Sequence, residues 1–227
     1  MIRLAGVSKL YSPESPALAE VNLDIDRGEF VFLSGPTGAG KTTLLKLLFG
    51  GLRTSAGDVL VLGRDVRRLS ARALAAHRRD LGLVCQEFKL LPSMTALDNV
   101  ALAAEVAGVS ARESRRRAAA LLEELGLESK RNAKPPMLSA GERQKVAVAR
   151  ALVNEPPLIL GDEPTENLDP ASADSIIGLI ERAYERGATV VIATHDAALA
   201  GRSGRRVVLL EHGRVVEAGA RLREAAL

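Results

Sequence analysis

The chain has 227 residues, 47% hydrophobic and 26% charged, and its 31 Lys+Arg against 28 Asp+Glu leave a net charge of +3. That balance fits a packed domain, with or without a sub-domain, and excludes a disordered chain. The weak positive charge makes no concentrated basic face, and four Phe, two Tyr and no Trp are too few for a base-stacking platform, so nucleic acid is not an expected partner.

Residues 2–7 and 21–25 alternate apolar with polar side chains and read as half-buried strands. Residues 30–33 form a continuous apolar run, as in buried parallel strands, and a helix is expected over 41–49. A strand over 58–62, a helix over 72–79 and a weaker strand over 81–85 follow. Between residues 97 and 154 strand patterns vanish. That stretch is rich in Ala, Leu, Glu and Arg, is broken by a polar segment at 129–136, and reads as an inserted helical sub-domain with one helix over 140–153. Apolar runs return at 158–160 and 189–193 on either side of a helix at 171–186. Residues 206–210 and 214–217 flank His212-Gly213 as a hairpin. Strands alternating with helices predict an α/β fold with a parallel core. There is no internal repeat and no low-complexity linker.

The single cysteine, Cys85, excludes an internal disulfide, argues against a cysteine zinc site and reads as a small core residue. The opening Met1 to Val7 lacks the apolar core of a secretory signal. No run approaches the roughly 18 apolar residues of a membrane span. The expected place is the cytosol, with any membrane role coming through a partner.

Gly35-Pro36-Thr37-Gly38-Ala39-Gly40-Lys41-Thr42 has the P-loop pattern between a strand and a helix that begins with Thr43. Glycines let backbone N–H groups curl around phosphate oxygens, and the helix N-terminus adds partial positive charge. Lys41 reaches the β- and γ-phosphates, and the Thr42 hydroxyl can ligate Mg²⁺. A second acid must hold the metal. Leu158-Ile159-Leu160-Gly161-Asp162-Glu163 ends an apolar strand in two carboxylates, with Asp162 in the Mg²⁺ shell and Glu163 as the general base toward water.

Further segments carry a family resemblance. Leu138-Ser139-Ala140-Gly141-Glu142 resembles the ABC signature, Gln86 the Q-loop, Asn167-Leu168-Asp169 the D-loop, and His195 in Ala193-Thr194-His195-Asp196 the switch histidine. Tyr11 sits where the adenine-stacking aromatic is expected. With the P-loop and the strand-end acids, these motifs run in family order through essentially the whole chain. The chain resembles an ABC-type ATPase domain. The resemblance implies a P-loop NTPase core with a mainly parallel sheet, an N-terminal antiparallel β sub-domain and an inserted helical sub-domain. Residues 1–88 and 155–227 would form the nucleotide-binding core with the β sub-domain, and 89–154 the helical sub-domain with the signature. ATP and Mg²⁺ are the implied cofactors.

Glu29 to Pro36, Gln86-Glu87-Phe88-Lys89-Leu90-Leu91-Pro92 and a C-terminus without an added regulatory domain resemble the FtsE subfamily of cell-division ATPases. LolD- and MacB-like lipoprotein-release or export ATPases are the alternative, and LolD shares much of 138–174. The resemblance implies a homodimer in the ATP-bound state, in which Ser139 and the Gly141 amide touch the partner's γ-phosphate, with Glu142 and Asp169 beside them. It also implies an FtsX-like membrane protein docked near Phe88, Leu90, Leu91 and Pro92 at the cytoplasmic face of the inner membrane. That pair would regulate periplasmic cell-wall hydrolases rather than carry a substrate. Gln86 would touch the Mg²⁺ or water side of the nucleotide, and His195 would sense the γ-phosphate. A nucleic-acid-acting ABC protein would need long coiled coils or a second motif set.

Three positions depart from the family pattern. Ala140 replaces the first signature glycine. Glu166 replaces the usual glycine before Asn-Leu-Asp, where an inward carboxylate would repel phosphates and slow turnover. Thr42 replaces the commoner serine without consequence. His77 and His212 read as surface histidines, and the arginines at 67–68, 78–79 and 115–117 as solvated faces.

Overall fold

A computed structural model describes residues 1–12, 15–166, 168–202 and 204–221. Asn167, the first residue of the D-loop stretch, lies outside them. In chain order the elements are β1 (Ile2–Ser12), β2 (Ser15–Ile25), β3 (Phe30–Ser34), α1 (Lys41–Leu48), β4 (Ala56–Val61), β5 (Arg64–Asp65), α2 (Ala71–Arg79), β6 (Leu81–Val84) and α3 (Ala96–Val106). Then come α4 (Ala111–Glu124), α5 (Ala140–Leu152), β7 (Leu158–Asp162), α6 (Pro170–Glu185), β8 (Thr189–Thr194), α7 (Ala197–Arg202), β9 (Arg206–Glu211) and β10 (Arg214–Arg221). The chain divides into two compact units, Met1–Arg78 with Thr189–Leu227, and Arg79–Ala188.

The first unit carries an antiparallel sheet in the order β2-β1-β4-β5. Ile2, Leu4 and Val7 of β1 pair with Ile25, Leu23 and Val21 of β2, and all six are buried, which is why both strands alternate. β2 starts earlier than its alternating half suggests, because Leu18 is also fully buried. In the second sheet β3 lies between β8 and β9, parallel to both, while β10 returns antiparallel to β9. Every residue of β3 and β8 is buried, hence their unbroken apolar spelling.

In the second unit β6 and β7 pair in parallel. The expected helical insertion is α3, α4 and α5, and the polar break holds two 3₁₀ turns, Glu128–Lys130 and Pro135–Met137. The helices start where side-chain acceptors occur: Thr95 accepts from the Asp98 N–H, Ser110 from Glu113, Ser139 from Glu142 and Asp169 from Ser172. α5 packs against α3, α4, α6 and β6. Among the described residues no helix is long and apolar enough to cross a membrane.

The fold class matches the expectation. His77 does not: it is fully buried rather than on the surface. Its Nε2 lies 3.0 Å from the Leu48 carbonyl, which can only accept. Arg78 donates to the carbonyls of Phe49 (3.1 Å) and Gly50 (2.7 Å). The two side chains satisfy the carbonyls that α1 leaves open at its C-terminal end. Several of the other arginines pair with neighbouring acids while staying on exposed or half-buried faces, as expected. Arg67 binds Asp65 and the Gly57 carbonyl, Arg115 binds Asp98, and Arg116 and Arg117 hold the Glu113 carboxyl down to about 2.

Candidate active site

In the first unit, β3 ends at Ser34 and the P-loop turns into α1 at Lys41. The sequence must be glycine at 35: φ is +148°, and an added Cβ would lie 2.1 Å from the Leu210 carbonyl oxygen, a backbone atom that cannot yield. Inside the loop the Ala39 N–H donates to the Pro36 carbonyl at 3.1 Å. The hairpin tip braces it, since the Gly213 N–H donates to the Ala39 carbonyl and the Ala19 N–H to the Gly213 carbonyl. Lys41 is buried, and its Nζ donates to the carbonyls of Gly35 (2.6 Å) and Pro36 (3.1 Å). Thus the ammonium is curled back over the carbonyls of its own loop. Thr37 and Gly38 form the exposed rim, and Thr42 is half-buried.

Two further expected residues belong to this unit. The Tyr11 hydroxyl lies 3.2 Å from Thr43 Oγ1 in the first turn of α1, while the residue is 60% exposed. A ring anchored by its hydroxyl and open elsewhere is suited to stacking. Ser34 pairs in register with Thr194, so Gly35 and His195 are both one step beyond paired strand ends, at the same sheet edge. His195 is exposed there. The following turn is tied down: the Asp196 N–H donates to Thr194 Oγ1, and Asp196 Oδ1 accepts from the N–H groups of Ala198 and Leu199.

The second unit gathers the rest. Val84 pairs with Gly161, so Gln86 and the acids Asp162 and Glu163 leave one strand edge together. Glu163 has φ +48°, a left-handed turn for a residue with a side chain, of the strained kind found at functional sites. The Glu166 N–H closes the turn onto the Glu163 carbonyl at 3.2 Å. Buried Gln144 donates to the Pro164 carbonyl at 2.7 Å. The Glu166 carboxylate accepts from Gln86 Nε2 at 2.6 Å.

The signature begins α5. Ser139 Oγ accepts from the Glu142 N–H (3.2 Å), and Glu142 Oε2 accepts from the Ser139 N–H (2.7 Å). This is a capping box, and the S-x-x-E spacing that announces it is plain in the sequence. The Ser139 N–H holds the Glu142 carboxyl below the usual carboxylate range against the opposing effect of burial. Asp169 caps α6 by accepting from the Ser172 N–H at 2.9 Å; its bonds to Ser172, side chain and backbone, hold its carboxyl low too. Gly141 lies against that cap, where a Cβ would come 2.9 Å from Ser172 Oγ. Phe88, in the expected partner loop, is half-buried under the Arg143 guanidinium at 5.2 Å. Arg150 donates to the carbonyls of Phe88 (2.8 Å) and Lys89 (2.6 Å). Leu90 is half-buried, while Leu91 and Pro92 are exposed.

Comparison with known proteins decides the family. Residues 18–166 match the ABC transporter family model. The chain belongs to the ABC transporter family. As an ABC cassette it binds and hydrolyses ATP. The cell division ATP-binding protein FtsE of Mycobacterium tuberculosis is 45% identical over 95% of this chain and 94% of its own length. FtsE of Escherichia coli is 44% identical over 94% and 96%. A solved ATP-binding cassette, dimeric in a post-hydrolysis state with ADP and Pi, superposes with a TM-score of 0.91 at 39% identity, covering 98% of this chain and 99% of its own.

Sequence reasoning finds Ser139 and Glu142 only as signature residues and misses their capping role, which the S-x-x-E spacing could have signalled. It also misses the contacts of Gln86, Arg143, Gln144 and Arg150. Each joins residues whose partner lies on another element, and no local pattern signals them.

Proposed function

We propose that this cassette is the ATP-hydrolysing subunit of an FtsEX-like membrane complex in bacterial cell division. Similarity to FtsE proteins along almost the whole of both chains supports this reading. Among the described residues no helix is long and apolar enough to cross a membrane, and in this reading the ATP cycle acts through a membrane partner. That partner is an FtsX-like transmembrane protein at the cytoplasmic face of the inner membrane, and its output is control of cell-wall hydrolases. Phe88, Leu90 and Leu91 form its docking loop. Leu91 offers exposed apolar surface, and Arg150 pins the loop's backbone. The helical segment 89–154 is the sub-domain carrying Leu90, Leu91 and the signature, with Phe88 at its border.

Each site residue has a role in this reading. Residues Gly35 to Thr43 wrap the phosphates with backbone amides, and Lys41 supplies the positive charge. Tyr11 stacks on the adenine. The Thr42 hydroxyl, Gln86 amide oxygen and Asp162 carboxylate are hard oxygen donors of the kind that hold Mg²⁺. When bound, that ion offsets the charge on the β- and γ-phosphates. Glu163 takes the proton of the attacking water, and His195 contacts the γ-phosphate. Two copies pair with ATP. Ser139 and the Gly141 amide stand at the N-terminus of α5 and so meet the phosphates of the second copy, with Glu142 and Asp169 holding their geometry.

The test is co-expression with the membrane protein encoded beside it. We expect capture of a protein with four spans and one extracytoplasmic loop domain, and wall-hydrolase activation that is lost with Glu163→Gln. Capture of a lipoprotein-release permease instead would refute the cell-division reading in favour of a LolD-like exporter.

A further inference from the structure

Gln86 and Glu166 are 80 residues apart, yet their side chains meet at 2.6 Å. Gln86 is exposed and Glu166 half-buried, so water competes for the bond. Such a pair persists when the backbone on both sides is already held and little freedom remains to be lost. Here both sides are held. On the Glu166 side, Gln144 holds the Pro164 carbonyl, and the Glu166 N–H closes the turn that starts at Glu163. On the Gln86 side, β6 is paired up to Val84, and Arg150 grips the carbonyls of Phe88 and Lys89. Arg143 covers the Phe88 ring. Arg143, Gln144 and Arg150 all stand on α5, so one helix sets the spacing of both loops.

The chemistry of the pair fixes the amide's orientation. A carboxylate can only accept, so the Gln86 nitrogen must face it. The amide oxygen is then the end that points away. That oxygen is the atom Gln86 needs for the role proposed above.

We propose that Glu166 is a positioning residue for Gln86. Its carboxylate turns the amide so that the oxygen is presented, and it ties the loop of Gln86 to the loop of Glu163. Glycine, which the family resemblance leads one to expect at this position, has no acceptor with which to do this. The catalytic consequence rests on the role proposed for Gln86; the hydrogen bond does not.

The test uses the fact that the chain has two glutamines, Gln86 and Gln144. Protein labelled with ¹⁵N at glutamine side chains shows two amide pairs, assigned by Gln86→Ala. We expect Glu166→Ala to move the Gln86 pair to the position of a free amide and leave the Gln144 pair in place. Glu166→Gln adds a third amide pair, assigned by comparison with Glu166→Gln/Gln86→Ala, and because its side-chain oxygen still accepts it keeps the Gln86 pair displaced. In ATPase assays Gln86→Ala and Glu166→Ala each lower kcat by about three- to tenfold, the scale of coupling between contacting side chains. The double variant falls no further than Gln86→Ala, and Glu166→Gln recovers most of the loss. A Gln86 pair unmoved by Glu166→Ala overturns the hydrogen bond and the proposal with it. A pair that moves while the two losses multiply overturns the positioning role. Wild-type kcat in Gln86→Ala overturns the role proposed for Gln86, and the spectrum separates that failure from a missing bond.

Discussion

Ser139 is asked to do two jobs, and three variants separate them. Ser139→Ala deletes the acceptor for the Glu142 N–H but leaves the reciprocal bond from the Ser139 N–H to Glu142. Loss of a helix cap costs typically about 1 kcal/mol, and with half of the box retained about 0.5–1 kcal/mol is expected. For a chain of this length that lowers Tm by about 1–4 °C. Ser139→Asp keeps a cap acceptor, so its Tm should stay near wild type. If Ser139 also faces a γ-phosphate of the second copy, aspartate places a negative charge against it, and ATPase activity should collapse. Stability should therefore rank wild type and Ser139→Asp above Ser139→Ala, whereas activity should rank wild type above Ser139→Ala above Ser139→Asp. Circular dichroism melts and phosphate release measure the two orders. Ser139→Asp with wild-type turnover would refute the phosphate role, and an unchanged Tm in Ser139→Ala would refute the cap. The other half of the box adds a pH dependence. The Glu142 carboxyl is held below its ordinary value, so its contribution is present above the unfolded value near about 4.3 and fades as pH falls through the lower folded value. Glu142→Ala should cost stability at neutral pH and less in acid; an equal cost at both would contradict the assignment.

Lys41→Ala should weaken ATP binding by at least about tenfold, or about 1.4 kcal/mol, by titration calorimetry; unchanged affinity would remove Lys41 from the phosphate site. Glu163→Gln should bind ATP and accumulate as a dimer by size-exclusion chromatography while hydrolysis falls by about a hundredfold or more, because the amide takes no proton from water. Hydrolysis near the wild-type rate would reassign the base. Phe88→Asp should fold and bind ATP yet fail to co-purify with the membrane partner, and retained assembly would move the docking surface away from Phe88.

What the sequence made legible was local. The glycine-rich turn between β3 and α1 and the two acids that end the β7 run are short patterns visible directly in the sequence. The buried strands β3, β7 and β8 were visible as apolar runs because both faces are covered. β2 was half-visible, since residues 21–25 alternate while Ser15 to Glu20 do not, although the same strand continues through buried Leu18. His77 was misread because its reason lies outside its own helix: it is buried to meet the Leu48 carbonyl, and nothing near position 77 shows that need. Glu166 was visible as a departure and not as a contact. Its meaning depends on a residue 80 positions earlier.

The same logic explains why α5 carries so many polar residues on surfaces that are not solvent-facing. A helix used only for packing would satisfy its neighbours with Val146, Ala147, Val148 and Leu152, all buried. α5 also spends Arg143, Gln144 and Arg150 on the carbonyls of Leu138, Pro164, Phe88 and Lys89. Burial disfavours the Arg150 charge and lowers its pKa, and two loop carbonyls compensate. Each bond is made to backbone rather than to another side chain, so it fixes where a loop runs and not merely what lies nearby. With 13 residues, α5 is a rod of about 20 Å at 1.5 Å per residue. Its N-terminus presents Ser139 and Gly141, and its body holds the loops of Phe88 and Glu163. The hydrogen bonds of Gln144 and Arg150 therefore hold the loops of Glu163 and Phe88 to one helix.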